Sequence, residues 1–97
     1  MIVEIADILI KQDRQLEFEQ AVLSAVTTIF PKAKGFRGHV FYRCIETPGR
    51  YSLQLTWETL ENHTVDFRGS PLFIEWRAMV SDCFAQPPHV EHFEFVS

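Results

Sequence analysis

Residues 2–10 limit most narrowly what this chain can fold into, because they are apolar on both faces of an extended strand. Ile2, Ala6, Ile8 and Ile10 fall on one face, and Val3, Ile5 and Leu9 on the other. Side chains alternate across a strand, so this pattern predicts a central strand that must be covered on both sides. The chain has 97 residues, enough for a single domain spanning 1–97 and too few for two. A domain of this size buries only about 60–65% of the surface its unfolded chain exposes, so it gains from pairing with a second copy.

The remaining pattern supplies one of the two covers. Asp13 is a candidate N-cap for a helix over about 14–30, in which Phe18, Val22, Ala25 and Ile29 form an apolar stripe widened by Leu23, Val26 and Phe30. Pro31 and Gly35 end it. Two strands follow at about 36–46 and 50–58, joined by Thr47-Pro48-Gly49-Arg50. With Thr47 facing Arg50, Val40, Tyr42 and Cys44 pair with Trp57, Leu55 and Leu53 to make one apolar face. His39, Phe41 and Arg43 then meet Glu58, Thr56 and Gln54 on the other. A one-residue bulge would invert that assignment.

Thr59 can cap a short helix through about Phe67, and Ser70-Pro71 is a strong start signal for another. Its inward stripe is Leu72, Trp76, Met79, Val80 and Cys83. Pro87-Pro88 break the chain, and residues 89–96 alternate as a last strand. The order β-α-β-β-α-α-β predicts an α+β fold, a ferredoxin-like split βαβ sandwich with a four-stranded antiparallel sheet. Helices cover one face, and the other, still apolar on the first strand, needs a partner.

Composition excludes several classes. Hydrophobic residues make up 46% of the chain, which argues against disorder, yet no apolar run approaches the roughly 18 residues of a membrane span. Net charge is −4 with no Lys/Arg cluster, so neither nucleic acid nor a membrane is an expected partner. Met1-Ile2-Val3-Glu4-Ile5 lacks a secretory pattern, which predicts a cytoplasmic protein with Cys44 and Cys83 as buried free thiols. His89-Val90-Glu91-His92 invites a metal reading, but on a strand His92 points away from His89 and Glu91, so no metal site is expected.

The whole chain resembles the antibiotic biosynthesis monooxygenase family of dimeric α+β barrels. The likeness rests on the strand ending Leu53-x-Leu55-x-Trp57-Glu58, on the Phe67-Arg68-Gly69-Ser70-Pro71 turn, and on the closing Val90-Glu91-His92-Phe93 strand. It implies a homodimer whose sheets pack through their helix-free faces, with a ligand pocket in each subunit between sheet and helices. Family members include cofactor-free oxygenases of electron-rich phenols and quinols, haem degraders, and proteins acting on small signalling molecules.

Within that frame Trp57 is either a core residue or a flat wall for an aromatic ligand with an indole N–H to donate. His63 is the first candidate for a general base, against a structural role at the rim. Arg77 lies roughly 100° from Trp76 around its helix, where it can reach water or a ligand oxyanion at the pocket mouth. Tyr42, Phe67 and Phe73 complete the expected aromatic lining. His39 reads as a cross-strand or interface residue, and Asp7 as a carboxylate that needs partners or strand-end solvent. Two departures matter: residues 74–77 carry no histidine, which disfavours haem, and Leu53 stands where the anthrone-oxidising branch commonly has asparagine. The expectation is a cofactor-independent monooxygenase-like enzyme acting on a small phenolic or quinol-type molecule. The alternative is a non-catalytic dimeric binder of a small ligand, or a stress-associated protein.

Overall fold

The computed structural model describes residues 1–97. Its elements are β1 (Ile2–Leu9), α1 (Gln15–Thr28), β2 (Phe36–Arg43), β3 (Arg50–Trp57), a π-helix (Asn62–Phe67), α2 (Pro71–Val80) and β4 (His89–Glu94). The strands form one antiparallel sheet in the order β2-β3-β1-β4, which is the ferredoxin-like arrangement. β1 is a central strand, as its two apolar faces require. Ala6, Ile8 and Ile10 are buried together with Phe18, Val22 and Ala25 of α1 and with Tyr51, Leu53, Leu55 and Trp57 of β3. Each fully buried side chain of this size is worth about 1.5–3 kcal/mol of transfer free energy, so this layer carries most of the driving force for folding.

Local signals act differently at the helix starts. Asp13 lies inside a short 3₁₀ turn, Gln12–Arg14, and caps nothing. Thr59 does cap: its Oγ1 accepts from the Asn62 N–H (3.2 Å), and Asn62 Oδ1 accepts from the Thr59 N–H (3.0 Å), a reciprocal capping box. Ser70 precedes Pro71 as expected, but its hydroxyl donates back to the Phe67 carbonyl (2.7 Å) rather than capping α2. Both cysteines are free, Cys83 buried and Cys44 only half-buried.

The β2–β3 register corrects the sequence expectation. The pairs are His39 with Leu55, Val40 with Gln54, Phe41 with Leu53 and Tyr42 with Ser52, three residues from the expected alignment. An odd shift exchanges the faces of a strand. Phe41 and His39 therefore lie on the helix side, while Val40 and Tyr42 lie on the helix-free side. The cause is a wider hairpin: Cys44 N–H donates to the Arg50 carbonyl (2.8 Å), so Ile45–Gly49 form the loop and Thr47 closes only an inner turn with Arg50 (3.2 Å). Gly49, at φ +83°, docks that loop on β1 by accepting from the Ile10 N–H (2.8 Å). The observed register also lets Phe41 stack on Tyr51 (5.5 Å between ring centroids) and pack edge-on against Phe18 (5.9 Å). A bulge between Phe36 and Gly38 restores phase, returning Phe36 to the helix side opposite Trp57.

Asp7 finds its partner in a bidentate pair with Arg50 (2.7 and 2.9 Å) on the helix-free face. That face also carries half-buried Val3, Ile5 and Leu9 and exposed Val40, Tyr42 and Phe93, and no element of the chain covers it. No helix is long and apolar enough to cross a membrane.

The join between β2 and the π-helix is tight. Gly35 has φ +80°, and a Cβ there would lie 2.0 Å from Asn62 Oδ1. Gly35→Ala is expected to cost roughly 2–4 kcal/mol, from left-handed backbone strain and steric overlap, read as a lower urea midpoint with an unchanged slope.

Candidate active site

A cavity of about 570 Å³ opens between the helix-facing side of the sheet and the segments that cross it, within the size range of small-molecule pockets. Phe30, Phe67, Phe73, Trp76 and Phe84 supply an aromatic lining, and Leu53 and Leu55 form part of the floor. Glu4, His63, Arg68 and Arg77 are its polar groups.

Glu4 is the unusual member. It follows Ile2 and precedes Ala6 and Ile8 in the period-2 pattern of β1, so its carboxylate must enter the core, where it is 7% exposed. Its partners come from every direction. Trp57 faces Ile2, one step diagonal from Glu4 across β1–β3, and its Nε1–H donates to Glu4 Oε1 (3.0 Å). His63 Nε2 lies 3.2 Å from the same oxygen. His92 sits directly opposite Glu4 on β4, and its Nε2 is 2.8 Å from His63 Nδ1. These contacts make one chain, Trp57–Glu4–His63–His92, and no buried side-chain nitrogen or oxygen lacks a partner.

The π-helix makes this convergence possible. Its wide turn, with Arg68 N–H donating to the His63 carbonyl (3.2 Å), brings both His63 and Phe67 inward. His63 stacks on the indole of Trp57 (5.5 Å, 24°), and Phe67 packs between Phe30 (5.4 Å) and Trp57 (5.5 Å). Such turns recur at functional sites.

Burial sets the acid–base character. It pushes the Glu4 carboxyl up to about 7, against the opposing pull of the Trp57 hydrogen bond and the positive field of Arg68. Burial, with the Arg68 and His92 fields, pulls His63 down to about 4. His92 is lowered as well, chiefly by desolvation and then by Arg68. Near neutral pH both imidazoles are therefore neutral and Glu4 is balanced between its two forms.

Four of the residues singled out from sequence line this cavity: His63, Arg77, Phe67 and Phe73. His63 is buried, and the exposed Arg77 guanidinium lies over the Phe84 ring (5.6 Å) at the edge. The other two do not. Trp57 is fully buried and lies behind His63, a core residue whose N–H is already used. Tyr42 is 54% exposed on the helix-free face, moved there by the register shift. Three contributors were missed as site residues: Glu4, His92 and Arg68. A carboxylate in step with Ile2, Ala6 and Ile8 was a legible signal for Glu4. The strand parity that set His92 apart from His89 and Glu91 holds, since those two pair with each other (2.9 Å). His63 offers one nitrogen to each neighbour, so Glu4, His63 and His92 form a line and not a cage around one point.

A family model described as antibiotic biosynthesis monooxygenase matches residues 1–79. The uncharacterized protein YczJ of Bacillus subtilis (strain 168) is 40% identical over 96 residues, covering 99% of this chain and 100% of the relative. Among solved structures, a candidate antibiotic biosynthesis monooxygenase from Bordetella bronchiseptica is 47% identical, with a TM-score of 0.95 over 99% of this chain and 97% of that one. The haem degrader MhuD of Mycobacterium tuberculosis, solved with two haems in its active site, is 20% identical with a TM-score of 0.77 over 100% and 97% of the two chains. At that identity the likeness is one of fold alone.

The two perturbed groups have opposite effects on stability. Between about 4.5 and about 7 the folded chain holds a proton on Glu4 that the unfolded chain has lost, so stability from this group falls as pH rises. Between about 6.5 and about 4 the unfolded chain protonates His63 and the folded chain does not, so stability is lost as pH falls. Glu4→Gln removes only the first effect. Relative to wild type it is expected to gain roughly 2–3 kcal/mol between pH 4.5 and pH 8, measured by urea unfolding across that range.

Proposed function

The chain belongs to the antibiotic biosynthesis monooxygenase family, and from that premise we propose that it is a cofactor-independent monooxygenase acting on a small phenolic or quinol-type aromatic molecule. The observation that carries this reading is a carboxyl balanced near neutrality in the wall of an aromatic cavity that also holds two arginines. Arg68 and Arg77 have no carboxylate partner within the chain, which leaves both guanidiniums for a ligand anion.

In this reading the base is Glu4 rather than His63. Both ring nitrogens of His63 are engaged and burial keeps it neutral, whereas the Glu4 carboxylate borders the cavity and has a proton affinity suited to its task. Glu4 removes the proton of a substrate hydroxyl, or of its keto tautomer. Arg77 and Arg68 hold the resulting oxyanion, and Phe67, Phe73 and Trp76 hold the ring. The electron-rich anion transfers an electron to O2, and the radical pair combines to form a carbon–oxygen bond at a ring carbon bearing hydrogen. Loss of that hydrogen as a proton, with cleavage of the O–O bond, leaves a carbonyl on the product and releases the second oxygen as water. One O2 thus exchanges two substrate hydrogens for one oxygen atom, with water as the other product.

The apolar helix-free face supports a homodimer as the assembled form, with Val40, Tyr42 and Phe93 meeting their counterparts. A dimer is expected by light scattering at micromolar concentration, and Phe93→Asp is expected to shift it toward monomer. O2 uptake with a panel of quinols and anthrones tests the activity. At least one compound is expected to be turned over, with kcat/KM rising as pH passes about 7 and falling about 10²- to 10⁴-fold in Glu4→Gln. No uptake above buffer across the panel, with saturable binding of the same compounds, would instead establish a non-catalytic binder.

A further inference from the structure

We propose that Glu4, His63 and His92 form a proton wire leading from the cavity wall to the β4 edge of the sheet, with His92 as the residue through which the proton leaves. The inference rests on the reading of the cavity as an acid–base site, but its geometry stands apart from any particular substrate. Glu4 and His63 line the cavity; His92 does not. β4 is an edge strand, and His92 is half-exposed on it. The imidazole of His63 joins the two, with Nε2 3.2 Å from Glu4 Oε1 and Nδ1 2.8 Å from His92 Nε2. A ring hydrogen-bonded at both nitrogens can take a proton at one and release one at the other without rotating.

The hydrogen bonds define two states that differ by one proton. With Glu4 ionised, its Oε1 accepts from Trp57 Nε1–H and from His63 Nε2–H, while His63 Nδ1 accepts from His92 Nε2–H. With both histidines in the Nδ1–H form, a Glu4 that has taken a substrate proton passes it to His63 Nε2, His63 Nδ1–H passes one to His92 Nε2, and His92 Nδ1–H releases one to water. That leaves the ionised state just described. A proton taken from water at His92 Nδ1 runs the same transfers inward, and once Glu4 gives that proton to the product peroxide the Nδ1–H form is restored. Each group ends with the proton count it began with, and both histidines exchange tautomer without either remaining an imidazolium. The charged groups around the wire suit this role. Arg68 is the cation whose field reaches all three members, favouring ionised Glu4 and disfavouring charged histidine. Trp57, from β3, contributes only an N–H to Glu4.

A bound aromatic ligand supplies the reason for a separate exit. It would fill the space in front of Glu4 and hold Arg68 and Arg77 at its oxyanion, so water could not collect the proton through the cavity.

The test follows the tautomers of the full chain labelled with ¹⁵N-histidine, by long-range ¹H–¹⁵N correlation between pH 5 and pH 9. His63 and His92 are expected to move together from Nε2–H at high pH to Nδ1–H at low pH with one shared midpoint, and Glu4→Gln is expected to abolish the change. A His63 that keeps one tautomer throughout, or two histidines that become imidazolium independently, overturns the wire. With a quinol that is turned over, His92→Gln is expected to lose kcat but not raise KM in dilute buffer, and to recover on addition of imidazole. Wild-type turnover by that variant at every buffer concentration also overturns it. A coupled tautomer change without O2 uptake by any quinol leaves the wire standing and removes the oxygenase reading. O2 uptake without the tautomer change does the reverse.

Discussion

The burial of one carboxylate organises this molecule. Glu4 enters the helix-facing side of the central strand, where an ionised group without partners would be costly enough to unfold a small domain. Its partners are therefore drawn from three separate parts of the chain: an indole from β3, an imidazole from the π-helix and, through that imidazole, a second histidine from β4. Each of these has its own reason to be where it is. The bulge in β2 lets Phe36 close over Trp57, the Thr59–Asn62 capping box starts the segment that delivers His63, and the β1–β4 register sets His92 opposite Glu4. The site is thus assembled by the same contacts that close the sheet.

Much of the fold was legible because it depends on patterns with a short repeat. The two apolar faces of β1, the stripe of α1 and the Ser70-Pro71 start each state their environment within a few residues. Each is found where the pattern puts it except Leu23, which α1 leaves exposed beside the buried Phe18, Val22, Ala25 and Ile29. The β2–β3 register was not legible in the same way. It depends on whether Thr47 or Cys44 closes the hairpin, and that choice was settled by contacts far away in sequence: Gly49 against Ile10, and Phe41 between Tyr51 and Phe18. A displacement of three residues left the strands in place and exchanged their faces, which moved Tyr42 out of the pocket.

The candidate site divides along the same line. His63, Phe67, Phe73 and Arg77, which line the cavity, could be singled out because they follow the conspicuous Trp57 within one continuous segment. Trp57 itself proved to be the support behind the site, since its only donor is spent on Glu4. Glu4 and His92 belong to strands 88 positions apart in sequence and meet only through sheet pairing. Yet the charge of Glu4 within an apolar alternation was readable from the first ten residues. A polar group that breaks a buried pattern is as informative as the pattern itself.

The π-helix has a consequence for heredity. A wide turn of this kind holds one residue more than an α-helical turn would, so its geometry depends on the exact number of residues between His63 and Arg68. Loss of any one of Thr64, Val65 or Asp66 would bring Arg68 to the fourth place after His63, which Phe67 now fills between Phe30 and Trp57. The start of α2 at Ser70-Pro71 would survive, because its signals are local. A descendant lacking one codon could therefore keep the sheet and both helices while losing the cavity wall, and would pass for a relative by shape long after it had ceased to be one by chemistry.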